Sequence, residues 1–197
     1  MKEEAARDAL ALFFLDECGF APTLPGTYTW ARERVRPTVA YEAPQGRRVN
    51  VIGAWAPLGS APRFVYQSRT TKVDSAAFLD FVWHEVGGMT TPLGEVPAGF
   101  HRERRCVIVL DNYSVHRSQA VTDYLPLLQA AGIEFCFLPP YSPDLNLIEG
   151  VWRHVKHEEM PVRSYATAQA LQAAVDEALD RHVVALVHTM ENFLEAA

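Results

Sequence analysis

The chain has 197 residues, 49% of them hydrophobic and 21% charged, enough to bury one substantial core, so a single domain over 1–197 is the expectation. No apolar run approaches the roughly 20 residues of a membrane span, and the start Met1-Lys2-Glu3-Glu4 is too acidic for a signal peptide, which reads as a soluble, cytoplasmic protein. Its net charge of −6 argues against a self-sufficient nucleic-acid binder, because phosphate neutralisation supplies most non-specific affinity.

Charge is unevenly spread. Between Trp30 and Asn50, Arg32, Arg34, Arg36, Arg47 and Arg48 face only Glu33 and Glu42, whereas from Ala168 onward Asp176, Glu177, Asp180, Glu191 and Glu195 face only Arg181. The three cysteines, Cys18, Cys106 and Cys136, have no paired spacing and fit a reducing compartment. His154 and His157 have helical spacing, but without cysteines nearby they make a weak zinc signal.

In chain order, Leu10 to Leu15 is an apolar run ending at Asp16, the pattern of a strand buried on both faces. Strands are expected next over Thr27–Val35 and Val49–Ala56, with Phe64–Gln67 extending the third or forming a short extra one. Asp74 is placed to cap a helix carrying Phe78, Leu79, Phe81, Val82 and Val86, stopped at Gly87-Gly88. Residues 87–103 follow as a long loop rich in glycine and proline, for which DNA contact and disorder are both open.

Cys106 to Leu110 is a second apolar run, and it too ends at an aspartate, Asp111. A helix over Ser118–Ala131, a strand over Glu134–Leu138 and a helix from about Asn146 come next. A helical tail over 164–197 ends the chain, with Leu171, Val175, Ala178 and Leu179 on one face. This order predicts an α/β domain with a mixed five-stranded sheet and helices on both faces.

If the strands ending at Asp16 and Asp111 are neighbours, about 4.8 Å apart, their side chains can share one ion. A buried carboxylate is costly to keep charged; metal ligation is one compensation, and a helix N-terminus or a buried hydrogen bond is another. On the helix after Asn146, 100° steps put Leu147, Ile148, Val151, Trp152 and Val155 on an arc of about 140° that faces the core. Glu149, Arg153 and Lys156 share the adjoining polar edge, either as a metal ligand beside phosphate-binding cations or as an ordinary Glu-to-Arg surface pair.

The segments Leu110-Asp111-Asn112-Tyr113-Ser114-Val115-His116 and Leu138-Pro139-Pro140-Tyr141-Ser142-Pro143-Asp144-Leu145-Asn146-Leu147-Ile148-Glu149-Gly150-Val151-Trp152 closely resemble the mariner-like insertion-sequence transposases of the DDE superfamily. Upstream, Leu15-Asp16-Glu17-Cys18-Gly19-Phe20, Trp30 and Ile52-Gly53-Ala54 resemble the first block of the same domain.

The resemblance runs from about residue 10 to 160 and implies an RNase H-like fold. It implies catalytic and metal-binding roles for Asp16, Asp111 and Glu149, with two Mg2+ ions per site and Mn2+ able to substitute. It gives supporting roles to Asn112, His116 and Asn146, while the Pro139–Pro143 loop is either loop-shaping or a plain rigid connection. It further implies cut-and-paste transposition, transposon ends and target DNA as partners, and a homodimer in the active complex. Arg153, Lys156, Arg47 and Arg48 are the candidate DNA contacts.

Two residues depart from the family pattern. Leu147 stands where proline is common, and Gly150 softens the helix start by up to about 1 kcal/mol relative to alanine. Relatives also carry N-terminal helix-turn-helix modules, so the expectation here is a catalytic domain whose end-reading module is encoded elsewhere or lost, with weak DNA binding on its own. A silent dimerisation or regulatory fragment, and another RNase H-like nuclease, are the alternatives.

Overall fold

The computed structural model describes residues 1–22, 32–34, 48–161 and 163–195, with side chains through residue 186. Of the strand expected over Thr27–Val35, residues 27–31 and 35 lie outside the described residues, and the described residues 32–34 are not strand: Glu33 and Arg34 form a turn, with Arg34 at φ +64°. After a short helix α1 (Lys2–Ala6) come strand β1 (Leu10–Phe20), β2 (Val49–Ala56) and β3 (Arg63–Arg69), then helix α2 (Ser75–Phe81). Strand β4 (Arg105–Leu110), helix α3 (Gln119–Ala130), strand β5 (Ile133–Phe137) and helices α4 (Ile148–His154) and α5 (Ala168–Glu195) complete the chain.

The five strands form one sheet in the order β3-β2-β1-β4-β5. β1 pairs in parallel with β4, and β4 with β5, each needing the crossover that a helix supplies. β2 and β3 are hydrogen-bonded neighbours joined only by residues 57–62, a connection short enough for antiparallel pairing alone. The sheet is therefore mixed, with helices on both faces, as its residue pattern predicts. Of the two readings open for Phe64–Gln67, the separate strand holds, as β3.

By its internal packing the chain divides into two units, residues 1–17, 52–67 and 73–150, and residues 18–51, 68–72 and 151–197. In the first unit, Phe13 and Leu15 of β1, Ile52 and Ala54 of β2 and Ile108 and Leu110 of β4 pack with Phe78, Phe81, Val82 and Trp83. The alternate residues Leu10, Leu12 and Phe14 are buried as well, outside that cluster, so both faces of β1 are covered. In the second unit, α5 buries Leu171, Val175, Ala178 and Leu179, the expected face, and Gln172 Nε2 donates to the Ser68 hydroxyl at 2.9 Å.

Local signals place most boundaries. Asp74 caps α2, its Oδ1 accepting from the Ala77 N–H at 2.9 Å. The helix then widens into a π-helical turn over Val82–Val86 and stops at Gly88, whose φ of +64° suits glycine. Ser118 caps α3, and Gly132 at φ +69° ends it.

The loop over 87–103 is fastened rather than loose. Trp83 Nε1–H donates to Thr91 O at 2.9 Å, and Arg102 donates to Ala131 O and Gly87 O, each at 2.7 Å. No described helix is long and apolar enough to cross a membrane. Replacing the α2 cap, Asp74→Ala, is expected to cost about 1 kcal/mol, read as a lower midpoint in urea denaturation with an unchanged slope.

Candidate metal centre

The β1–β4 register sets the site. Phe14 lies opposite Val109, so two residues further on Asp16 stands level with Asp111. The strand expected to end at Asp16 instead runs on to Phe20, while β4 stops at Leu110. Beyond that point β1 loses its neighbour on the β4 side, which leaves room beside Asp16. A cavity of about 460 Å³ opens there, lined by Asp16, Asp111, Asn112, Asn146 and Glu149 together with the loop from Leu138 to Pro143.

The third carboxylate arrives through a turn that fixes its height. Asn146 N–H donates to Pro143 O at 2.8 Å and Glu149 N–H to Asn146 O at 3.1 Å, so a tight turn passes into the first residues of α4. Ile148, Val151, Trp152 and Val155 are buried, the face expected from their spacing. Leu147 is the exception at 38% exposed, because the helix begins one residue after it.

Burial, reinforced by the facing charges of Glu149, Glu17 and Asp111, pushes the Asp16 carboxyl up to about 7 against the backbone hydrogen bond from Glu17. Asp111 Oδ1 accepts the Tyr113 N–H at 2.9 Å, while His116 Nδ1 hydrogen-bonds to the Asp111 backbone carbonyl at 3.4 Å and lies 3.1 Å from Oδ1. The other ring nitrogen, Nε2, lies 3.0 Å from Glu17 Oε1. For His116 burial disfavours the charged ring, but the hydrogen bond to Glu17 and the charges of Glu17 and Asp111 outweigh it and raise its pKa.

Glu17 has no place among the sequence candidates. As the residue after Asp16 it points to the opposite side of the strand, and its partner is 99 positions away in the chain. Only the side-by-side carboxylates at 16 and 17, expensive inside an apolar strand, could have signalled it.

The supporting candidates divide as follows. Asn112 Nδ2 donates to Leu138 O at 2.7 Å, tying the turn after β4 to the proline-rich loop. Asn146, 4% exposed, donates from Nδ2 to Leu15 O at 3.0 Å, the carbonyl just before Asp16. His116 is buried behind Asp111 and does not line the cavity.

Arg153 and Lys156 belong to the second unit, where Lys156 Nζ lies 5.4 Å from the Phe20 ring centroid. Arg48, also in that unit, lays its guanidinium where a side chain at Gly19 would go, and Arg47 lies outside the described residues. His154 is engaged with Glu159 Oε1 at 3.3 Å rather than with His157.

A family-implied divalent ion is tested by the donors present. Asn146 Oδ1 is buried, lacks a hydrogen-bond partner and belongs to a residue lining the same cavity as three carboxylates. That all-oxygen set suits a hard cation such as Mg2+ or Mn2+, whose charge would offset the crowding that drives Asp16 toward protonation. Among the described residues, however, no group of three or more His, Cys, Asp or Glu stands ready-made as a metal cage. The carboxylates share a cavity without closing on one point.

The sheet order, crossover pattern and cavity define an RNase H-like fold. The family model of the DDE superfamily endonucleases matches residues 11–172, and the chain belongs to that family. Among solved structures, the Mos1 transposase paired-end complex with left transposon end is similar at a TM-score of 0.57 and 15% identity, covering 93% of this chain and 54% of that one. The Mos1 strand transfer complex gives 0.56 at 16% identity, covering 95% and 53%. The mariner paired end complex with Mn gives 0.55 at 15%, covering 92% and 54%. This chain thus spans about half the length of the proteins it resembles. No curated protein sequence matches it.

The raised Asp16 pKa fixes a sign for stability in the absence of metal. Below about pH 4 the group is neutral folded or unfolded and costs nothing; the cost of burying its charge grows as pH climbs to about 7 and is complete above that. Asp16→Asn is therefore expected to stabilise the metal-free chain at pH 8, by on the order of 2–4 kcal/mol, and to leave it unchanged near pH 4. Thermal melts of both proteins at the two pH values check this, and an equal or lower melting point for the variant at pH 8 contradicts it.

Proposed function

We propose that this chain is the catalytic domain of a mariner-like insertion-sequence transposase, performing metal-dependent DNA cleavage and strand transfer. The observation that supports this reading is the shared cavity, which Asp16, Asp111 and Glu149 line from β1, the end of β4 and the start of α4. Membership of the DDE superfamily endonucleases and the fold shared with Mos1 support it. The Mos1 structures include complexes with a transposon end, with Mn and with Mg.

In this proposal Asp16, Asp111 and Glu149 would hold two Mg2+ ions, with Mn2+ able to replace them. When bound, the ions supply Lewis acidity at the scissile phosphate. The chain's own work is to hold the three carboxylates in place, and Asn112, Asn146 and His116 contribute through the hydrogen bonds described above. Arg153, Lys156, Arg48 and Arg47 are assigned to DNA phosphates, a local task in a chain whose net charge is −6. Transposon ends and target DNA are the partners, bound by a homodimer.

The test is Mn2+-dependent nicking of DNA carrying the element's own ends. Asp111→Asn and Glu149→Gln keep size and lose charge, so both are expected to fold while nicking falls on the order of 10³-fold. Activity that survives either change removes the proposal. A second reading, a catalytically silent dimerisation or regulatory fragment, is favoured by the lack of a ready-made cage among the described residues. A stable dimer that takes up no Mn2+ in calorimetry would select it.

A further inference from the structure

His116 is held more firmly than a supporting residue at a surface turn needs to be. It is 1% exposed, packed on the Phe78 ring at 4.6 Å between centroids and edge-on to Tyr113 at 5.7 Å, so its ring has little room to swing. Both ring nitrogens meet carboxylates, Nε2 at 3.0 Å from Glu17 Oε1 and Nδ1 at 3.1 Å from Asp111 Oδ1.

Asp111 Oδ1 also accepts the Tyr113 N–H at 2.9 Å. His116 Nδ1 hydrogen-bonds to the Asp111 backbone carbonyl at 3.4 Å, so the Tyr113 N–H and the imidazole charge both act on the Oδ1 side of the residue, which leaves Oδ2 as the oxygen without a partner among the described residues. Glu17, by contrast, does not line the cavity. Its side chain is only 17% exposed, and its negative charge adds to the repulsion on Asp16. A strand carrying two adjacent carboxylates in apolar surroundings incurs a desolvation cost that a purely structural residue would avoid. What Glu17 contributes in return is the far anchor of the imidazole that holds Asp111.

We infer that Glu17 is a positioning residue, which through His116 orients the Asp111 carboxylate so that its second oxygen is available to a divalent cation. This rests on the metal-dependent reading above. Outer partners of this kind typically change metal affinity by roughly 10–100-fold when removed.

The experiment measures Mn2+ binding to the full chain by calorimetry, without DNA, alongside the melting temperature of each metal-free protein. Glu17→Met matches the glutamate in volume but offers no acceptor, whereas Glu17→Gln keeps an oxygen for the His116 N–H. Expected are a loss of Mn2+ affinity of roughly 10–100-fold for the first and near wild-type affinity for the second. His116→Asn keeps a donor near the Nδ1 position but cannot reach Glu17, and in that background Glu17→Met is expected to cost nothing more.

Wild-type affinity in Glu17→Met, equal losses in the Met and Gln variants, or additive effects with His116→Asn each overturn the inference while leaving the metal-dependent reading intact. Absence of Mn2+ binding by the wild-type chain overturns both.

Discussion

The structure turns on a register. Parallel pairing of β1 with β4 brings Asp16 level with Asp111 at the place where β4 ends, and the turn before α4 adds Glu149 to the same cavity. Three carboxylates around one partly desolvated space repel one another, and Asp16, the most enclosed, bears the consequence in its affinity for a proton. Such an arrangement is stable only if something positive, a proton or a metal ion, shares the space. The fold of the first unit maintains an electrostatic demand, and the chemistry proposed for it follows from what can meet that demand.

Part of this was legible because the signal is local. The two apolar runs that stop at an aspartate, the helix caps Asp74 and Ser118, and the glycine stops at Gly88 and Gly132 depend on neighbours within a few residues. The buried face of α4 followed from periodicity, except at Leu147, where the true helix start decides exposure and a 100° count cannot see it. The length of β1 was not legible, since Asp16, Glu17 and Gly19 look like a strand end until β2 is known to lie beside it. Glu17 escaped for the same reason in stronger form: its role depends on a histidine brought near only by folding.

For the loop over 87–103 the residue pattern leaves DNA contact and disorder both open. Its glycines and prolines leave mobility open, yet Thr91 O accepts from Trp83 near one end, Arg102 donates to Ala131 O at the other, and Arg102 also joins the two ends through Gly87 O. Composition records how the backbone can bend but not whether its polar groups find partners, and here they do.

The frame of the site is built separately from its charges. Asn146 reaches the carbonyl of Leu15, Asn112 reaches that of Leu138, and Leu138 N–H returns to Leu110 O at 2.9 Å. Each bond is between an amide or backbone N–H and a carbonyl, and together they tie β1, the end of β4 and the turn into α4 at the residues flanking the three carboxylates. Tyr141, fully exposed and at φ +56°, shows that the intervening loop is held in a conformation a free chain would rarely adopt. Neutral bonds carry the geometry, so the carboxylates are left to serve the cavity they face. Asp16 accepts a backbone hydrogen bond from Glu17, and at Asp111 one oxygen accepts the Tyr113 N–H and lies 3.1 Å from the His116 ring. The restraint on Asp111 thus adds a charge contact to its hydrogen bonds, and in the inference drawn above that contact reaches outward through the imidazole to Glu17.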